Sequence, residues 1–365
     1  MTHPLPPLAR RHLIGLMAGP LLLGLDAAAR AAPPLPPAAA VAAVPFPEGA
    51  TILVAGPDGG RLGRWGDAIA MALDAALPPG TKVRATFTGG VDGVTGANQF
   101  EARVPPDGAT VLLVPGAAAL DWLVGDPRAH YDAEHWVPVM AGVTSAIVMA
   151  RPTAARLATG GPVRVAASGP VGPQLPALLG LDLLGAQVVP VFGLVGPEAA
   201  CAAFAAGKAD AVLTCGRNVP EQVAALREAG GEPLFGLGAP DANGAPGRDP
   251  AFPDVPTLDE LHVALHGARL GGVRHHAWRA AAAATQLEFG LVLPRLTIAA
   301  MVALWRRAAS QAAAQPAIQS LASARAVQPL EGVVAAAAMT SVAVDSAALL
   351  ELRGWLATRF NWRPA

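Results

Sequence analysis

"TILVAGPDGGRLGRWGDAIAMAL", Thr51 to Leu73, is the stretch from which the fold can be read. Thr51 to Ala55 reads as a buried strand and Gly56 to Gly63 as a Gly-rich turn, after which Trp65, Ile69 and Leu73 recur at helical spacing. A strand that runs through glycines into a helix leaves backbone N–H groups at the positive end of a helix dipole, which favours a negative guest. The dinucleotide fingerprint needs G-x-G-x-x-G, whereas these glycines are Gly56, Gly59, Gly60 and Gly63. No Gly-Lys-Ser/Thr follows, so a Walker A loop is excluded as well. A plain strand-to-helix turn with no guest stays open at this point.

The chain has 365 residues, enough for two domains of ordinary size, with 53% hydrophobic and 15% charged residues. Strands alternate with helical stretches through most of it, which predicts an α/β fold. A net charge of −1 provides no electrostatic footprint for nucleic acid, and none is expected as a partner. Of the 26 basic residues 24 are Arg, a compositional bias before it is chemistry.

Near the start, Arg10-Arg11 precedes "LIGLMAGPLLLGL", an apolar run too short to span a bilayer and shaped like a signal-peptide core. Ala29-Arg30-Ala31 fits the small-x-small rule for cleavage after Ala31. Residues 1–31 are therefore expected to be an export signal, and the paired arginines resemble a twin-arginine signal, with an ordinary Sec signal as the alternative. Without them the balance is 23 basic against 26 acidic residues. Residues 32–47, "APPLPPAAAVAAVPFP", read as an Ala/Pro linker. Cys201 falls in a predicted helix and Cys215 at a predicted strand end; they either pair in an oxidising compartment or sit as small buried hydrophobes.

The pattern of the opening stretch returns later. "VRVAA" reads as a strand, "SGPVGPQ" as a Gly-rich loop and "LPALLGLDLLG" as a helix, followed by the strand "QVVPVFG", a helix from Pro197 to Ala206, and the strand "DAVLTC". Two similar lobes, each presenting one anion-friendly loop, predict a cleft between them.

The order of several short motifs resembles one family. "VAGPDGG", "PPDGATVLLV", "YDAEHWVPV", "AASGPVGPQ", "VVPVFG", "FPDVPTLDEL" and "GLVLP" are collinear with segments of the substrate-binding proteins of tripartite tricarboxylate transporters, over about Ile52 to Trp362. The resemblance implies a type II periplasmic binding fold, two α/β lobes that close on a ligand cleft. It implies lobe 1 from 48–144 and 246–365 and lobe 2 from 145–245, with a first crossing near Gly142 to Ser145 and a second between the Ala239–Gly247 loop and Gly290. It further implies a monomer in the periplasm that captures a small carboxylate for membrane transporter subunits, with no cofactor, no metal and no catalysis. The positions that match the family's ligand loops are Pro57, Gly59 and Gly60 in lobe 1 and Ser168 and Gly172 in lobe 2.

This sequence departs from the family at Arg61, Leu62 and Gly63, where glycine, threonine and aspartate are usual, and at Val191, where tyrosine is usual. Arg61 is the candidate that replaces the missing polar groups with a fork for a ligand carboxylate, its other reading being a solvated rim residue; Arg64 is the second candidate. The segment from Thr257 to Gly290 is also longer than the family's. Two other functions share the fold or the cleft: a periplasmic sensor that signals to a membrane kinase, and a divergent exported enzyme.

Rival chemistry has little in its favour. His262 and His266 share a helical face and His275-His276 follow, but no His-Glu-x-x-His motif is present. Ser168 stands in no G-x-S-x-G elbow, and Cys215 before Gly216-Arg217 reads as a buried thiol rather than an activated one. Thr297 to Phe360 is expected to be mainly helical, with Met301, Leu304 and Trp305 on one buried face, Leu349, Leu352 and Leu356 on another, and Asp345 or Ser346 as an N-cap.

Overall fold

The computed structural model describes residues 49–152, 157, 159–241 and 246–363; the expected export signal and linker lie outside them. The opening strand is β1 (Gly49–Val54), which lies between β2 (Lys82–Phe87) and β3 (Thr110–Val114) and runs parallel to both. Parallel neighbours need crossovers, here α1 (Arg61–Ala76) and α2 (Val94–Arg103). α1 packs because Leu62, Trp65, Ile69 and Leu73 form one buried stripe; Trp65 meets Phe289 with ring centroids 4.7 Å apart. α3 (Gly116–Val124) then leads to β4 (Val137–Thr144).

Only Ser145 separates β4 from β5 (Ala146–Ala150), and at that residue the chain leaves the first sheet for the second. There it repeats its opening pattern: β6 (Pro162–Ala166), α4 (Leu175–Leu183), β7 (Gln187–Val191), α5 (Pro197–Ala205), β8 (Ala211–Cys215), α6 (Val219–Glu228) and β9 (Glu232–Gly236). A small hairpin, β10 (Ala239–Pro240) with β11 (Pro246–Gly247), follows. Next come α7 (Leu258–His266), held by a Thr257–Glu260 capping box, and α8 (Val273–Gln286). β12 (Leu287–Leu293) returns the chain to the first sheet. The remainder is α9 (Ala299–Ala313), α10 (Pro316–Arg325), β13 (Val327–Glu331), α11 (Gly332–Thr340) and α12 (Ser346–Phe360), whose N-cap is Asp345.

The two sheets are ordered β13-β4-β12-β3-β1-β2 and β7-β6-β8-β5-β9, both within one compact unit. In each, a parallel triplet is followed by an antiparallel strand that arrives from the other lobe, β12 in the first sheet and β5 in the second. β9 and β13 are strands that periodicity alone does not reveal, because Pro233 and Pro329 interrupt them. Both lie at sheet edges, where a missing N–H costs no ladder bond.

The chain crosses between the lobes twice, at Ser145 and between Gly236 and Leu287, and one side chain ties the crossings together. Gln286, at the end of α8, donates from Nε2 to Gly238 O at 2.6 Å and to Thr144 O at 3.4 Å, and its own carbonyl accepts from the Thr144 hydroxyl. The Ala-rich run Ala280–Ala284 has a packing role. Ala280, Ala281, Ala282 and Ala284 are buried, and their small size lets α3, α4 and α12 all pack on α8. α12 touches both lobes as well: Arg353 donates to the Trp122 carbonyl, while Trp355 and Arg359 donate to Asp182 of α4.

Candidate functional site

The loops after β1, β6 and β8 end beside these connections. The first is shaped by glycines that cannot be replaced. A Cβ on Gly60 would stand 2.9 Å from Pro57 O, one on Gly63 3.0 Å from it, and Gly59 has φ +67°. Gly60 donates to Pro57 O at 3.2 Å and caps α1 with no side-chain partner for the first helical amides. The N–H groups of Arg61, Leu62 and Gly63 lie where helix geometry provides no internal acceptor.

The second loop works differently. Ser168 donates from Oγ to Gln174 Oε1 at 2.9 Å, and its N–H reaches the same oxygen at 3.2 Å. Gly172 packs directly on the Ser168 hydroxyl, with no room for a side chain. At the start of α4, Leu175 and Ala177 donate to Gly172 O and Gln174 O, and Pro176 has no N–H. The amides of this helix start are therefore spent. Gly169, Val171 and Gly172, in the loop itself, make no N–H bond among the described residues, so the loop rather than the helix offers donors here.

Charges gather where the loops meet. Arg61 Nε lies 3.3 Å from Glu288 Oε1, the side chains being 65% and 6% exposed. Arg325 has its proton affinity lowered first by burial, then by Arg64, with Arg217 and Arg61 adding to it and Glu288 opposing. Arg61 and Arg64 belong to the first lobe and Arg217 to the loop after β8, so cations from both lobes act on Arg325, with Glu288 opposing them. Thr285 donates to Pro173 O at 3.2 Å across the same junction. Burial pushes the Cys215 thiol up to about 11, only partly offset by the Thr144 hydroxyl and Arg61. That removes the activated-thiol reading. Cys201 and Cys215 are both free thiols.

Arg217, Arg325 and Glu288 thus join Arg61 and Arg64, which the sequence had already singled out. Glu288 carried a readable signal, a lone acid in the apolar strand "LEFGLVL". The histidines do not form a metal centre: His262 Nδ1 contacts Ala268 O and His266 Nε2 contacts Leu184 O. Among the described residues no group of three His, Cys, Asp or Glu side chains could hold a metal ion.

No protein-family model matches the chain, and no curated protein does. Among solved structures it is similar to a TctC solute binding protein from Polaromonas, at 19% identity over 86% of this chain and 98% of that one, with a TM-score of 0.63. The periplasmic binding protein BugD (18% identity, 87% and 98% covered) and MatC from Rhodopseudomonas palustris with bound malate (20%, 85% and 100%) each give a TM-score of 0.47, too low to argue from. The first likeness, with the paired sheets and crossing strands above, establishes the two-lobed fold of periplasmic binding proteins.

Proposed function

We propose that this chain is an exported receptor that captures a small carboxylate between its lobes and delivers it to membrane transporter subunits of the tripartite tricarboxylate type. One observation carries the reading: arginines from both lobes, Arg61, Arg64 and Arg217, act on the charge of Arg325, and Glu288, paired with Arg61 at 3.3 Å, opposes them. Free amides at the start of α1 and in the loop from Gly169 to Gly172 add donors for the same anion. Charge-assisted hydrogen bonds from guanidinium and backbone N–H are the strong ones, and they are the chemistry a carboxylate accepts. Pro57, Gly59 and Gly60 shape the first loop, and Ser168 and Gly172 hold the second in place. Arg61 and Arg217 approach from opposite lobes, so an anion between them draws the lobes together.

The reading includes a monomeric protein in the periplasm, exported by the twin-arginine route, with no cofactor and no catalytic group. Native mass spectrometry of protein purified without refolding tests it. A small acid should accompany the wild type and be lost from Arg217→Ala; a neutral or cationic companion contradicts the proposal.

A further inference from the structure

A cavity of about 690 Å³ opens beside the connections, between the β10–β11 hairpin, α7 and α8, and none of the glycine-loop residues lines it. Its volume and mainly apolar walls are those of small-molecule sites. Leu237, Val263, Leu270, Trp278 and Leu287 line it. Trp278 is fixed by donating to Pro176 O at 2.9 Å, so that wall is rigid.

The polar groups in the walls are unevenly matched. Arg248 is neutralised by Glu260 at 2.9 Å. Asp259 Oδ1 stands 3.1 Å from His275 Nε2 as an ion-pair neighbour, and that nitrogen makes no other polar contact although His275 is only 8% exposed. Burial lowers the affinity of His275 for a proton, with Arg279 and His276 adding to the effect and Asp259 opposing it. Arg279, half-buried one helical turn further along α8, and Arg269 at the rim have no hydrogen bond or ion pair among the described residues. The cavity therefore combines an apolar body, an imidazole nitrogen whose one polar neighbour is Asp259, and one more arginine than carboxylate in its walls. A buried polar group without a partner is costly, and a ligand that bonds it recovers that cost.

We propose that this cavity is a second ligand site, separate from the cleft, for an organic anion with an aromatic or branched apolar body. The acid group of the ligand pairs with Arg279, its body lies against Trp278 and Leu270, and His275 Nε2 bonds to it. Gln286 is also in the wall, and it is the side chain that joins Thr144 to Gly238. An occupant therefore presses on the hinge itself, and occupancy of the two sites is reciprocally linked.

Phenylbutyrate is the probe. Calorimetry on the purified protein should give one-site binding, with phenylbutanol at least about tenfold weaker for want of the charge. Arg279→Met should weaken phenylbutyrate by a similar factor, and Ala283→Trp, which fills the cavity, should abolish it. Arg217→Ala, in the cleft, should leave it unchanged. Hydrogen exchange should slow on binding in 237–248 and 273–287 and not in 56–63. Absence of heat at about 10 mM probe overturns the site. So does binding that survives both cavity variants, or binding that Arg217→Ala removes, which would place the probe in the cleft. Arg279→Met changes a half-buried surface, so the test survives if Ala283→Trp fails to fold.

Discussion

Nε of Arg61 stands 3.3 Å from Oε1 of Glu288, joining the first residue of α1 to the one acid in β12. The pair is one-sided, since Glu288 is inside and Arg61 reaches in from the rim. It fixes where the guanidinium sits, and among the described residues no hydrogen bond occupies Arg61. A ligand carboxylate can therefore use the fork while Glu288 holds it.

Arg61→Gly should weaken a bound dicarboxylate by about 2 kcal/mol or more, or roughly 30-fold, because closure of the lobes over the ligand would take this pair out of water. The same change strands Glu288 and should lower stability by about 1–3 kcal/mol. Adding Glu288→Gln should restore the stability but not the affinity. Denaturant titration and calorimetry on the double-mutant cycle separate the two effects. If affinity is equal across wild type, Arg61→Gly and Arg61→Lys, Arg61 is only a rim residue.

Asp121 lies in the last turn of α3, and its carboxyl is raised to about 6 by burial, then by Asp126 and Asp92, against the weaker pull of Arg128. The folded chain thus holds this proton more tightly than the unfolded chain does. The resulting stability is complete below about pH 4 and is lost as pH rises through about 6. Asp121→Asn should gain on the wild type across that window and stay about 1 kcal/mol ahead at pH 7, allowing for solvent screening. Urea midpoints from pH 4 to pH 8 measure it; a constant difference between the two proteins sinks the assignment.

Asp182 accepts from Arg359 at 2.6 Å, Trp355 at 3.0 Å and Arg274 at 3.3 Å, and its side chain is 4% exposed. Asp182→Ala leaves the Trp355 N–H without its acceptor and should cost about 2 kcal/mol. Loss of amide protection confined to α12 would identify the helix as a strap anchored there. Unchanged protection in α12 would show that its apolar face alone holds it.

The proposed twin-arginine export rests on Arg10-Arg11, which lie outside the described residues. Changing both to Lys should leave precursor in the cytoplasm if the twin-arginine route is used. Normal processing of the double variant indicates Sec export instead.

The architecture was largely legible because the strand–glycine–helix signal depends on local chemistry. Trp65, Ile69 and Leu73 announce α1, and Val163 to Leu183 repeats the pattern for the second lobe. What sequence concealed depends on distant neighbours. Pro233 and Pro329 read as breaks, because only the sheet order places β9 and β13 at edges. Ala280–Ala284 looked featureless because the crowding that requires small residues comes from α3, α4 and α12. At the candidate site the glycine loop with Arg61 and Arg64 was readable, and the charges that join them were not. Arg217 and Arg325 stand far from Arg61 in sequence and join it only through the fold. The spent amides at α4 depend on Gly172 and Gln174 turning back on the helix start.

Thermal denaturation with a panel of small carboxylates, each beside its neutral amide, tests the central claim most directly. A carboxylate bound at micromolar affinity and present at about 1 mM adds roughly 4 kcal/mol to the folded state. At least one acid should therefore raise the midpoint by several degrees while its amide does not, and Arg217→Ala should abolish that rise. If no acid moves the midpoint, or if acids and amides move it equally, the cleft is not a carboxylate site.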